Sequence, residues 1–114
     1  MKIINKTKKF TIAGNAKFAR TFFERFKGLM LSNPGNLVIA APKETIKHTS
    51  IHTCFMRFPL NVLWLNSDFE VVDVAKKTGN RRIFKPNKPA KYVVEIGTGD
   101  IGKTKIGDKI EFIE

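Results

Sequence analysis

The chain has 114 residues, enough for a single domain whose core needs neither disulfides nor a structural metal. Apolar residues make up 42% of it, which excludes a disordered polymer, and the lone cysteine, Cys54, excludes an intrachain disulfide or a cysteine-based zinc cage. Lys and Arg number 21 against 10 Asp and Glu, and the net charge of +11 disfavours cationic partners and favours polyanions or acidic surfaces.

In chain order, residues 1–14 begin with basic residues but lack an apolar run of signal-peptide length, and no stretch approaches the ~20 apolar residues of a membrane helix. The expectation is a cytoplasmic monomer away from membranes. Lys8–Ala13 alternates, with Phe10 and Ile12 on one side, and predicts a strand. Asn15 is placed to cap a helix over AKFARTFFERFKGLM, residues 16–30, with Gly28 at the left-handed position that ends it. At ~100° per residue, Phe18, Ala19, Phe22, Phe23, Phe26, Leu29 and Met30 form one apolar arc opposite Lys17, Arg20, Glu24 and Lys27. Phe18, Phe22 and Phe26 are therefore expected to bury against the strand Leu60–Leu65, including Trp64. Arg25 lies at the edge of that arc, its guanidinium free to reach over the core or out to water.

Leu37–Ala41 and the β-branched stretch Thr45–Phe55 read as strands. Leu60–Leu65 places Leu60, Val62 and Trp64 on one side and Leu63 and Leu65 on the other, the pattern of a strand covered on both faces. Asn66-Ser67-Asp68 turns into Phe69–Val74 to make a hairpin. Tyr92–Ile96 and Lys109–Ile113 supply two further strands, the last entered through a tight Gly107-Asp108 turn. The expected architecture is one α+β domain over residues 1–114: a mostly antiparallel, barrel-like sheet with one amphipathic helix near the N-terminus. Between Ala75 and Lys91 the chain becomes a basic loop with Lys76, Lys77, Arg81, Arg82, Lys85, Lys88 and Lys91 and no acid, anchored by Ile83-Phe84.

Three blocks carry a family resemblance. Arg25-Phe26-Lys27-Gly28-Leu29-Met30 has an R-x-x-G-L-M pattern; IHTCFMRFPLNVLWLN spans residues 51–66; and AKYVVEIGTGDIGKTKIGDKI spans residues 90–110. In this order and spacing they resemble the domain of unknown function 192 family over roughly residues 18–112. The resemblance implies a compact α+β, mostly antiparallel fold and no established activity. Two positions depart from the family pattern. Asn61 stands where an Asp usually follows the Pro-Leu pair, removing a carboxylate, and Cys54 replaces the aromatic after His-Thr.

No catalytic residue, metal or cofactor is assigned. His48 and His52 are four apart, but a β-rich segment would hold them ~13 Å apart, too far for one ion. His52 and Cys54, at i and i+2 on a strand, would share a face, and an imidazole beside a thiol can make a nucleophile. This thiol-dependent enzyme is the third reading, and against it Cys54 serves as a small core residue. The leading reading is a pocket near the central motif that binds a small anionic ligand or a partner. Its candidate residues are Arg25, Met30, His52, Met56, Arg57 and Glu95, with an arginine recognising the anion. A structural ion pair between Glu95 and Arg25 or Arg57 would explain the same residues without any ligand. The alternative is nucleic-acid binding, RNA above all, in which Lys76, Lys77, Arg81, Arg82 and Lys85 track phosphates and Phe84 stacks a base.

Overall fold

The computed structural model describes residues 1–19, 34–52, 58–78, 83–98 and 100–114. Among them the chain forms β1 (Lys2–Asn5), β2 (Phe10–Ala13), β3 (Lys17–Ala19), β4 (Asn36–Thr45), a 3₁₀ turn at Lys47–Thr49, β5 (Ile51–His52), β6 (Asn61–Leu65), β7 (Val71–Ala75), β8 (Ile83–Phe84), β9 (Ala90–Ile96) and β10 (Ile110–Ile113). A five-stranded sheet has the order β3-β4-β9-β6-β7, a three-stranded sheet the order β10-β1-β2, and β5 pairs with β8 alone.

The period-2 pattern of β6 reaches the fold directly. Leu63 and Leu65 join Ile3, Ile12, Val38, Val71, Val94, Ile96 and Ile110 in an inner core between the two larger sheets. Leu60, Val62 and Trp64 join Ala19, Leu37, Ala90 and Val93 in a cluster on the outer face. β6 lies between β9 and β7 in the sheet, and its side chains are buried on both faces, as the sequence predicts. The hairpin to β7 turns on Asn66, whose Oδ1 accepts the Asp68 and Glu70 N–H groups at 2.9 Å each. Phe69 closes that turn at φ +62°, an unfavourable backbone for an aromatic residue. Its ring is held by stacking on Tyr92 at 4.9 Å and by an edge contact to Phe112 at 5.7 Å.

The two sheets join along one side. Val71 N–H donates to the Asp108 carbonyl (2.9 Å), Gly107 N–H to the Val71 carbonyl (2.8 Å) and Ile110 N–H to the Phe69 carbonyl (2.9 Å). Gly107 adopts φ +98°, the awkward backbone expected of the Gly107-Asp108 turn.

Three expectations are corrected. The described residues contain no α-helix and are essentially all-β, so the α+β reading does not hold for them. The predicted helix fails at its first turn, where Lys17, Phe18 and Ala19 form β3, parallel to β4 and opposite Leu37, Val38 and Ile39. Three residues are too few to carry either period, and the β4 edge supplied the hydrogen-bond partners that decided between them. Phe18 accordingly packs on the inner cluster, away from Trp64. Phe22, Phe26 and the remainder of the predicted helix lie outside the described residues. Nor is there a closed barrel: no ladder among the described residues joins β2 to β3, and the sheets remain open there. Lastly, Thr45–Phe55 is not one strand, because Thr45 Oγ1 accepts the His48 N–H at 3.0 Å and starts the 3₁₀ turn. Thr49 Oγ1 then donates back to the Thr45 carbonyl (2.8 Å), a local bond that competes with strand pairing.

Candidate functional site

At the open end of the two sheets, three connections converge on Asn36, the buried first residue of β4. Its Nδ2 donates to the Asn15 carbonyl (3.0 Å) and to Thr98 Oγ1 (2.9 Å). Its Oδ1 accepts the N–H groups of Gly97 and Thr98, both at 3.1 Å. One amide thereby uses all four of its hydrogen-bonding positions and ties the β2–β3 turn to the residues after β9. Gly97 makes the approach possible. Its N–H donates to the Gly35 carbonyl (2.8 Å), and a Cβ there would lie 2.4 Å from the Phe58 ring and 2.6 Å from that same carbonyl oxygen.

Beside this latch lies a cleft of about 290 Å³, lined by Ile12, Ala13, Gly14, Asn15, Pro34, Gly35, Asn36 and Thr98. Its lining is apolar on the β2 side and polar but uncharged elsewhere. None of these residues is among the candidates read from the sequence. The glycines at 97, 99 and 102 fail a dinucleotide-binding pattern, yet a glycine pair after a strand also marks a close backbone approach, and that signal points here.

Of the candidates of the leading reading, Glu95 and the backbone of His52 lie among the described residues. Register places Glu95 on β9 between Leu37 of β4 and Val62 of β6, on the same side as Val93. Its side chain is only 5% exposed. His52 pairs through its backbone with Ile83. Arg25, Met30, Met56 and Arg57, and the thiol of Cys54, lie outside the described residues. On the outer face, among the described residues, Ile51, Phe58 and Phe84 pack on the cluster, and Trp64 Nε1 donates to the Thr49 carbonyl at 2.7 Å, fixing the 3₁₀ turn. His48, for which a metal role was weighed, is exposed and has its Nδ1 3.0 Å from Thr45 Oγ1.

In the basic segment, Lys76, Lys77 and Lys85 are exposed, whereas Phe84 is half-buried in the outer cluster and paired with Ile51. Arg81 and Arg82 lie outside the described residues. Lys91 is committed elsewhere, its Nζ donating to the Ala41 carbonyl.

A second polar centre is legible only in three dimensions. Asp108 is 3% exposed, and its Oδ2 accepts from Asn5 Nδ2 (2.9 Å), Lys8 Nζ (2.5 Å) and Lys105 N–H (3.1 Å). Burial alone would raise its pKa; the bonds from Lys8, Asn5 and Lys105, with the Lys8 charge, outweigh burial and hold it below the ordinary carboxylate value.

Comparison with known proteins agrees with the family resemblance. The model of the DUF192 family, described as "Uncharacterized ACR", matches residues 3–112. The chain belongs to this family. Among its DUF192 relatives, the UPF0127 protein of Thermococcus sibiricus is 42% identical over 114 residues, covering 96% of this chain and 73% of the relative. That of Pyrococcus abyssi is 40% identical over 114 residues and covers 97% of each. A crystal structure of a protein of unknown function from Novosphingobium aromaticivorans aligns with TM-score 0.80 at 19% identity, over 97% of this chain and 82% of the other, and so shares the fold. Among the described residues of this chain, no helix is long and apolar enough to cross a membrane.

Proposed function

We propose that this DUF192 protein is a binding module for a small, uncharged polar molecule, held in the cleft between the β2–β3 turn, Gly35-Asn36 and Thr98. The observation that carries this reading is the cleft's chemistry: Ile12, Ala13 and Pro34 offer apolar surface, while Asn15, Thr98 and the glycine backbones offer neutral donors and acceptors. The Asn36 amide is fully used in fixing the walls, which keeps the cleft preformed. An anionic ligand, the sequence expectation, calls for a cation, and among the described residues no charged side chain lines this cleft. The anionic reading rests on Arg25 and Arg57, which lie outside the described residues.

Titration of the labelled protein with neutral polyols and sugars, and separately with small carboxylates and phosphates, tests the proposal by amide chemical shifts. Saturable shifts confined to residues 12–15, 35–36 and 97–98 with a neutral compound, weakened by Thr98→Val, are expected. Shifts that follow only the anions, or that centre on Glu95 and Phe58, would overturn it in favour of the pocket near the central motif.

A further inference from the structure

The β1–β2 turn (residues 6–9) and the loop before β10 (residues 103–109) are about a hundred residues apart in sequence and form one surface. Lys6 N–H donates to the Lys109 carbonyl (2.8 Å), and Lys109 N–H donates to Thr7 Oγ1 (2.8 Å). Beneath them Asn5 Nδ2 bonds both Thr104 Oγ1 and Asp108 Oδ2, at 2.9 Å each. The buried Asp108 thus acts from below, binding the ammonium of Lys8 and the backbone of Lys105. What remains on top is cationic. Lys9, Lys103, Lys105 and Lys109 are exposed, and among the described residues none of the four is in an ion pair. Lys6 meets Glu111 only at 3.8 Å, an exposed pair that neutralises little.

An aromatic ring sits within this patch. Phe10 follows Lys9 and is 37% exposed, unusual for a phenylalanine on a strand. Its ring rests on Gly102, the residue before Lys103, where φ is +60° and an added Cβ would lie 3.0 Å from the ring. Gly102 therefore serves as a seat for a ring that stays partly exposed. Exposed lysines on joined segments that also carry a partly exposed aromatic ring match the chemistry of a single-stranded nucleic acid, whose phosphates need cations and whose bases need a stacking partner. The 76–91 segment lacks the second feature, because Phe84 is packed into the outer cluster.

We infer that this platform is a contact surface for single-stranded nucleic acid, with Lys9, Lys103, Lys105 and Lys109 on phosphates and Phe10 on a base. It lies apart from the proposed small-molecule cleft, so the two readings stand or fall separately. The test is fluorescence anisotropy of the full chain with a labelled single-stranded RNA of about a dozen uridines, across a salt series. Saturable binding is expected, with log affinity falling linearly against log salt. The triple variant Lys103→Gln, Lys105→Gln, Lys109→Gln should weaken binding and reduce the salt slope by up to ~3, about one for each lysine taken off a phosphate. Phe10→Ala should weaken binding about ten-fold or more while leaving that slope unchanged. The triple variant Lys76→Gln, Lys77→Gln, Lys85→Gln, with the same loss of charge, should leave both nearly unchanged. Melting curves and amide spectra confirm that each variant is folded. Binding that falls equally in both lysine triples, a Phe10→Ala variant that binds like wild type, or affinity for anionic lipid vesicles but not for the RNA would each overturn the inference.

Discussion

The two faces of the five-stranded sheet are built differently. The inner face is closed by another sheet: β1, β2 and β10 lay Ile3, Ile12 and Ile110 onto Val38, Leu63, Leu65, Val94 and Ile96, and backbone bonds from Val71, Gly107 and Ile110 seal one side. Among the described residues the outer face is covered by fragments: a 3₁₀ turn fixed by one indole bond, the two-residue strands β5 and β8, and the Phe58 ring. A ladder distributes its hydrogen bonds and fixes its register over many residues, whereas a fragment depends on one or two contacts. Among the described residues the inner face is therefore the mechanical core, and the 3₁₀ turn, β5 and β8 are where local opening is least costly.

The sharpest way to break this comparison is to empty a site on the inner face. Leu63 is fully buried there, and Leu63→Ala should cost about 2–5 kcal/mol and lower the denaturation midpoint without changing the slope with denaturant. A cost below about 1 kcal/mol would mean that the inner face is not the core. Next comes the carboxylate at the sealed edge. Asp108→Asn exchanges a charged acceptor of three bonds for a neutral amide and should cost about 1.5–3 kcal/mol near neutral pH. The pH dependence follows from the direction of the shift. With the folded pKa held below the ordinary 3.8, the unfolded chain binds the proton more tightly. Asp108 therefore contributes its full stabilisation above that value and loses it as pH falls through the folded pKa. Acid unfolding of wild type should include this loss, and Asp108→Asn should flatten the acid limb; an unchanged limb would show that Asp108 is not held by Lys8 and Asn5.

At the open end, Gly97→Ala should cost about 1–3 kcal/mol, since the Phe58 ring can shift but the Gly35 carbonyl oxygen, 2.6 Å from the new Cβ, belongs to the backbone. The readout that matters is local: amide exchange should quicken at Thr98 and Asn15 before it quickens in β9. The smallest effect is expected on the outer face. Trp64→Phe keeps most of the buried ring but removes the donor to the Thr49 carbonyl, for about 1 kcal/mol, with faster exchange confined to the 3₁₀ turn and β5. Loss of protection across the whole sheet would mean that the two faces unfold as one, and the distinction between them would fail.

Much of the strand content was legible because hydrophobic alternation is a local property. The split of Leu60–Leu65 between two faces, the Asn66 turn and the Gly107-Asp108 turn each follow from a few adjacent residues. The family, too, was legible in motif blocks that are contiguous in sequence. Lys17–Ala19 was not, because three residues carry no decisive period and their strand state depends on pairing with Leu37–Ile39 about twenty residues later. Nor was the cleft, whose walls come from separate segments brought together by one saturated amide, Asn36. The burial of Asp108, and with it the joining of Lys6–Lys9 to Lys103–Lys109, was equally out of reach of a linear reading. Composition determined the net charge, and alternation determined which strand residues face inward. Only the tertiary structure decided where charges collect and which backbones approach closely, because both depend on contacts between residues far apart in the chain.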